Sequence, residues 1–122
     1  MTNKEIVLNF IRDVFNAHDL TLLDRYMKPD YKQHSIGVGD GREAFKAFAR
    51  DFFTQDPYMD VKRVFESDDN VVAVFFECRF KGGNKAKVVD MYRIEDGMIA
   101  EHWDVVQALP EDDKAVTGRG SF

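Results

Sequence analysis

The opening of the chain spaces its apolar residues as an amphipathic helix does. Apolar side chains recur three and four residues apart from Asn3 to about His18, and Thr2 and Glu5 have the pattern of a capping box. Asp19 can cap a short second helix, which Pro29 would end because proline cannot continue the helical hydrogen bonds. The sequence therefore predicts two consecutive helices before residue 30.

A polar stretch and a glycine-rich loop separate these helices from a third. Tyr31–His34 is predicted to be a short extended segment, and Gly37–Gly41 is predicted to be a loop because it holds three glycines in five residues. Asp40 and Glu43 repeat the pattern of a helix start, and apolar residues then recur at helical spacing as far as Phe53. A third helix is therefore predicted over this region.

From residue 59 onward the apolar residues recur at every second position, which is the period of a strand. Turn signals rich in Asp, Asn and Gly divide this half into four segments. The predicted strands are Met59–Ser67, Val71–Phe80, Lys85–Ile94 and Met98–Gln107. This order predicts the α+β class, with a curved antiparallel sheet wrapped as a cone around N-terminal helices. We expect residues 1–122 to form one domain, with a loosely held tail from Pro110.

The last predicted hairpin decides which polar residues lie together. Glu95–Gly97 suits a three-residue loop, in which Asp90 would lie opposite His102 and Val88 opposite Asp104. One face of the hairpin would then carry all three ionisable side chains, with apolar residues nearer the turn.

A two-residue turn at Asp96-Gly97 is the alternative, and it would place Asp90 opposite Trp103. His102 and Asp104 share a face in either register, because they lie two residues apart on one strand. Two carboxylates and an imidazole in an aromatic cavity would form an acid–base site. The same groups also suit a solvated face or a structural ion pair, and their spacing leaves both interpretations open.

Composition excludes several classes of protein. The 22 acidic and 17 basic residues give a net charge of −5, which argues against a nucleic-acid-binding surface. The longest apolar run, Val71–Phe76, is far shorter than the ~20 residues of a membrane span, and the N-terminal residues lack a signal-peptide pattern, so a cytoplasmic protein is expected. Cys78 is the single cysteine and is expected to be buried and inert. Eleven phenylalanines predict either a thick core or an apolar cavity.

Two segments resemble a known family. Tyr31–His34 followed by Gly41–Phe45, together with Val89–Gln107, resemble the SnoaL-like polyketide cyclases of the NTF2-like superfamily, which also contains ketosteroid isomerases. The resemblance extends from the first helix to Gln107. It implies an NTF2-like (cystatin-like) α+β barrel, commonly dimeric, with a pocket between sheet and helices. The resemblance specifies the fold more closely than it specifies any one reaction, because the superfamily contains both enzymes and binding domains.

The resemblance also implies a chemistry. In the cyclases, the aspartate that Asp104 matches removes a proton between two carbonyl groups, and the enolate closes a ring by aldol addition without a metal or organic cofactor. His102 matches a neighbouring pocket histidine, whereas Asp90 stands where characterised cyclases tend to carry another histidine.

The candidate site residues fall into two groups. The catalytic candidates are Asp104 as base with His102 and His34 as proton donor or oxyanion partner, and the substrate-binding candidates are Asp90, Gln33 and Tyr92. We expect a cofactor-independent lyase or isomerase acting on a small apolar carbonyl compound. A non-catalytic binding domain for a small apolar ligand or a partner protein is the alternative. No metal is expected, because the histidines lack the close spacing typical of metal ligands on a helix.

An apolar patch is predicted on the face of the sheet opposite these residues. It would consist of Met91, Ile99, Trp103 and Val105, and an exposed patch of that kind is uncommon on a monomer. We therefore expect a homodimer that forms through this face.

Overall fold

The computed structural model describes residues 1–114 and 116–122, and it confirms the predicted α+β class. In chain order the elements are α1 (Asn3–Phe10), α2 (Leu23–Tyr26), β1 (Met27–Gln33), α3 (Arg42–Phe52), β2 (Tyr58–Glu66), β3 (Val71–Arg79), β4 (Lys85–Glu95) and β5 (Met98–Leu109). Short 3₁₀ segments lie at Leu20–Leu22, Phe53–Gln55 and Lys81–Gly83. Within the described residues, no helix has both the length and the apolar character that crossing a membrane requires.

The first helix begins as predicted and then changes its winding. The Thr2 hydroxyl accepts a hydrogen bond from the Glu5 amide at 3.1 Å, and the Glu5 carboxylate accepts one from the Thr2 amide at 3.2 Å, which completes the capping box. From Ile11 to Asn16 the chain continues as a π-helix. Such wide turns are rare and frequently lie near functional sites.

The third helix begins at Arg42, without the predicted side-chain cap. Gly41 precedes it with φ 89°, a conformation that favours glycine, and its amide donates to the Tyr31 carbonyl at 2.8 Å. The Asp40 carboxylate instead accepts a hydrogen bond from the backbone amide of Gln33 at 2.8 Å. The predicted capping role of Asp40 is therefore wrong, because this side chain ties the loop back to β1.

The sheet has five strands in the order β1-β5-β4-β3-β2, and it is mixed. Strands β2 to β5 form the predicted antiparallel meander, whereas β1 runs parallel to β5 with Gln33 paired to His102. The sequence analysis predicted only an extended segment here, because Pro29 and charged neighbours interrupt the apolar pattern. Proline is tolerated in an edge strand, and β1 is one edge of this sheet.

The turn between β4 and β5 has two residues, so the predicted three-residue loop is wrong. Asp96 and Gly97 both have positive φ, 54° and 73°, as a type I′ turn requires. Glu95 and Met98 are the first pair of the hairpin.

A bulge in β5 then restores the face that the sequence analysis predicted. Ala100 is an extra residue on β5, so beyond it Tyr92 pairs with His102 and Asp90 pairs with Asp104. The predicted pairing of Asp90 with His102 is therefore wrong by two residues. A shift of two residues preserves the face, so Asp90, His102 and Asp104 still lie together.

The same bulge turns Ile99 into the core. Ile99 pairs with Ile94, and both side chains are buried. Ile99 is therefore not part of an outer apolar patch, which corrects the predicted set. Met91 and Trp103 are paired neighbours on β4 and β5, and Val105 is exposed.

The core lies between the helices and the inner face of the sheet. Phe10 of α1 is its central ring, with ring centroids 6.1 Å from Tyr26, 6.4 Å from Phe45 and 5.9 Å from Tyr92. Aromatic contacts therefore join α1, α2, α3 and β4 around one side chain, and each such pair adds to the free energy of burial.

Asn16 joins the π-helical segment to β2, the other edge of the sheet. Its Nδ2 donates to the Met59 carbonyl at 3.1 Å, and its Oδ1 accepts from the Met59 amide at 2.8 Å. We expect Asn16→Ala to lower the free energy of unfolding by about 1–3 kcal/mol, because the peptide groups of Met59 lose their partner. Urea denaturation measures this loss, with the exposed Asn84→Ala expected to change stability by less than ~0.5 kcal/mol. Equal losses in the two variants would contradict the structural role of Asn16.

Candidate functional site

A cavity of about 250 Å³ lies between the sheet and the helices. Seven phenylalanines line it: Phe10, Phe15, Phe45, Phe48, Phe52, Phe76 and Phe80. The polar side chains that line it are Tyr31, Gln33, Ser35, Asp90, Tyr92, His102 and Asp104. Of the two interpretations of the phenylalanine content, the structure therefore has the apolar cavity.

Asp90 and His102 are buried side by side, with only 7% and 8% of their surfaces exposed. His102 Nε2 lies 3.1 Å from Asp90 Oδ1, but the direction of this contact is not that of a hydrogen bond. Nε2 consequently has no hydrogen-bond partner within the described residues. The other carboxylate oxygen, Oδ2, accepts a hydrogen bond from the Tyr92 hydroxyl at 2.6 Å.

Asp104 lies across from Asp90 and is half-buried. The Ser35 hydroxyl donates to Asp104 Oδ2 at 2.7 Å. One oxygen of each carboxylate and a ring nitrogen of His102 lie within 4.8 Å of one another. Like charges at this separation repel each other in an apolar cavity, so the site favours a hydrogen-bond donor or a positive group between the carboxylates.

Two tyrosine hydroxyls and a thiol in the cavity wall stay protonated at neutral pH. Burial raises the pKa of Tyr92 well above its ordinary value, and the Asp90 carboxylate raises it further. Burial likewise raises the pKa of Tyr31, with smaller contributions from the Asp90 and Asp104 charges. Burial also raises the pKa of the Cys78 thiol to about 12. The phenols are therefore hydrogen-bond donors, and the thiol is unreactive.

Gln33 connects several of these groups. Its Oε1 lies 2.8 Å from His102 Nδ1, and it accepts hydrogen bonds from the backbone amides of His34 at 3.0 Å and Ser35 at 2.9 Å. Its Nε2 donates to the Tyr31 hydroxyl. Gln33 thus contacts the imidazole from the side opposite to Asp90.

His34 lies outside the cavity. Its ring stacks on Trp103 with centroids 5.0 Å apart, and its Nε2 lies 2.6 Å from a Glu101 oxygen. This contact and the Arg93 guanidinium hold the pKa of Glu101 below its ordinary value. Successive residues of an extended chain point to opposite faces, so His34 points away from the face that Gln33 occupies. The position does not support the predicted role of His34 as a partner of the oxyanion.

The sequence analysis did not select Tyr31 and Ser35. Both lie two residues from Gln33, and residues two apart on an extended chain share a face. Had Met27–Gln33 been recognised as a strand next to β5, this alternation would have placed all three side chains in the site. The remaining candidates, Gln33 and Tyr92, do line the cavity with Asp90, His102 and Asp104.

The loop after β1 forms part of the cavity rim. Ile36 and Val38 line the cavity, and Ile36 is fully exposed to solvent at the same time. Val106 of β5 also lines the cavity and is 60% exposed. An apolar rim of this kind is accessible to a ligand that enters from solvent.

The curved sheet, the helices packed on it and the cavity between them define the NTF2-like α+β fold. The model of the SnoaL-like domain family matches residues 7–102. The chain belongs to this family.

Solved structures from three bacteria show the same fold. IdmH of Streptomyces antibioticus, a proposed polyketide cyclase, is 21% identical with a TM-score of 0.74, covering 88% of this chain and 93% of its own. A SnoaL-like polyketide cyclase of Agrobacterium tumefaciens strain C58 is 17% identical with a TM-score of 0.72, covering 88% and 92%. An NTF2-like protein of Cytophaga hutchinsonii is 18% identical with a TM-score of 0.71, covering 88% and 91%. The comparison with curated proteins found no match.

Cys78 provides a chemical test of the cavity wall. The thiolate is the reactive form, and a pKa of about 12 leaves very little of it at pH 8. We expect the native thiol to react with Ellman's reagent at least about 100-fold more slowly than the urea-unfolded chain, with the rate rising toward pH 12. The raised pKa also stabilises the fold below the ordinary thiol pKa, and this contribution is lost as the pH rises toward 12. Cys78→Ser supplies the blank, and comparable native and unfolded rates would contradict a buried thiol.

Proposed function

We propose that the protein is a cofactor-independent enzyme that enolises a small apolar carbonyl compound, with aldol-type cyclisation or isomerisation as the outcome. The observation that carries the proposal is the Asp104 carboxylate in an aromatic cavity, within 4.8 Å of the buried Asp90–His102 pair. Membership of the SnoaL-like family and the neighbours described as polyketide cyclases support the same reaction class.

Asp104 is the proposed base. Of the two carboxylates it is the more accessible, because Asp104 is half-buried whereas Asp90 is buried against His102 and accepts a hydrogen bond from Tyr92. Asp104 accepts one hydrogen bond, from Ser35 to Oδ2, and it forms no ion pair with a lysine or arginine within the described residues. Its other oxygen is thereby left to accept a proton from a bound ligand.

The proposed donors to the enolate oxygen are the Tyr31 hydroxyl and His102 Nε2, the latter in the form of the ring in which Nε2 carries a proton. His102 Nε2 has no hydrogen-bond partner within the described part of the chain and lines the cavity. The Tyr31 hydroxyl accepts from Gln33 Nε2, so its own hydrogen is available to a ligand, and its raised pKa keeps that hydrogen in place. Donors placed in this way stabilise the negative charge that develops during enolisation.

The size of the cavity restricts the substrate. Sites for drug-sized ligands commonly have volumes of ~300–1,000 Å³, and this cavity of about 250 Å³ is smaller. A substrate with one or two rings therefore suits the cavity better than a large fused polyketide. The two carboxylates also disfavour a negatively charged substrate.

A binding domain without catalysis is the second candidate. It is favoured by the hydrogen bonds that each carboxylate already receives within the protein, from Tyr92 and from Ser35. In that case the same cavity would hold a small apolar ligand without changing it.

Hydrogen–deuterium exchange tests the proposed enzymatic activity without knowledge of the natural substrate. A panel of one- and two-ring ketones, such as 2-tetralone, is incubated in deuterated buffer, and NMR follows loss of the proton next to the carbonyl. We expect wild type to accelerate exchange and Asp104→Asn to lose at least ~100-fold, the scale of a general base, with its ligand affinity retained. The exposed Asp68→Asn is the matched control and should keep full activity. Full exchange in Asp104→Asn would overturn the assignment, and binding without exchange in wild type would favour the second candidate.

We further propose a homodimer through the outer face of the sheet. Met91, Trp103 and Val105 lie on this face, and Val105 is 67% exposed. Phe122 of the C-terminal segment packs on Phe75 of the same face, with ring centroids 5.5 Å apart. We expect sedimentation at micromolar concentration to show twice the 14.1 kDa chain mass.

Val105→Asp should shift the protein toward the monomer, because it places a charge within the apolar contact. Leu8→Asp, on the exposed side of α1, is the control and should leave the assembly unchanged. A wild-type particle of 14.1 kDa would count against the dimer.

A further inference from the structure

We propose that Gln33 is a positioning residue that fixes the tautomer of His102 and, through Ser35, the orientation of Asp104. The inference deepens the proposed function and rests on it for its kinetic consequence alone. The neighbours of the Gln33 side-chain amide distinguish its oxygen from its nitrogen.

The orientation of the Gln33 amide follows from two backbone groups. The backbone N–H groups of His34 and Ser35 can only donate hydrogen bonds. Both point at the same atom of the Gln33 side chain, at 3.0 and 2.9 Å. That atom must therefore be the oxygen. The nitrogen at the other end of the amide donates to the Tyr31 hydroxyl.

The tautomer of His102 follows in turn. Its Nδ1 lies 2.8 Å from the Gln33 oxygen, which can only accept, so Nδ1 must carry a hydrogen. In the neutral ring this leaves a lone pair on Nε2, which faces the Asp90 carboxylate at 3.1 Å. A lone pair and an ionised carboxylate repel each other. The contact becomes attractive when the pair holds one proton, either on Nε2 or on Asp90.

Gln33 also positions Asp104, through Ser35. The same amide oxygen holds the backbone of Ser35, whose hydroxyl donates to Asp104 Oδ2 at 2.7 Å. One oxygen atom therefore positions the proposed base and the proposed proton donor together. Every polar atom of the Gln33 side chain is engaged within the protein, which assigns it a positioning role in place of the substrate contact expected from the sequence.

NMR of the histidine side chains tests this inference without a substrate. Two-bond ¹H–¹⁵N spectra of uniformly labelled protein distinguish the protonated from the unprotonated ring nitrogen, and the chain has only three histidines to assign. We expect wild-type His102 to carry its hydrogen on Nδ1 whenever the ring is neutral. Gln33→Met removes the acceptor, so the neutral ring should change to the Nε2–H tautomer, whose hydrogen is attracted by the Asp90 carboxylate 3.1 Å from Nε2. Gln33→Glu restores an acceptor oxygen and should restore Nδ1–H.

Controls separate this effect from a general disturbance. Gln107→Met, at an exposed position of β5, should leave all three histidines unchanged. The ring of His18, whose Nε2 lies 2.8 Å from the Pro57 carbonyl oxygen, serves as an internal reference. An Nε2–H tautomer in wild type, or an unchanged tautomer in Gln33→Met, would overturn the inference. The wild-type measurement remains decisive even if Gln33→Met does not fold.

Kinetics supply the second readout. In the exchange assay we expect Gln33→Met to lower the turnover number at least about 100-fold with nearly unchanged affinity, since a wrong histidine tautomer costs ~10⁴-fold in serine hydrolases. If wild type shows no exchange but the tautomer changes as expected, the proposed function fails and the positioning role stands. If exchange depends on Asp104 but the tautomer does not depend on Gln33, the positioning role fails and the proposed function stands.

Discussion

The parallel pairing of β1 with β5 is the contact on which the rest of the site depends. It aligns Gln33 with His102, so that a short amide side chain reaches the imidazole directly. The strand itself has few apolar residues, and its attachment relies on two of them, Met27 and Tyr31, which are almost completely buried. Without this pairing, the cavity would keep its carboxylates and lose Gln33 and Ser35, which contact His102 and Asp104.

Two irregularities in the β4–β5 hairpin compensate each other. The two-residue turn alone would place Asp90 and His102 on opposite faces, because a shift of one residue inverts the side-chain direction. The extra residue Ala100 reverses that inversion, at the expense of one unpaired position in the ladder. The three ionisable groups therefore share the cavity as a result of both features together, and neither feature alone would produce the site.

Periodicity predicted most of the fold, because the helices and the antiparallel meander bury regular stripes of apolar side chains. It did not predict β1, since an edge strand with a proline and several charges buries too few residues to show a pattern. It did not predict the bulge either, because residues 98–100 are all apolar and show no alternation in which a change of phase could be seen. The grouping of His102 with Asp104 was predictable from their spacing of two. The outward direction of His34 was not, because it depends on β1 being a strand.

The cavity draws its shape and its chemistry from different parts of the chain. The phenylalanines come from the helices and from the region of β3, whereas the polar groups come from β4, β5, β1 and the segment that follows β1. Substitutions among the helical phenylalanines can therefore reshape the space offered to a ligand while the acid–base groups keep their geometry. A fold divided in this way allows descendants of one ancestral domain to diverge in ligand preference long before they diverge in mechanism.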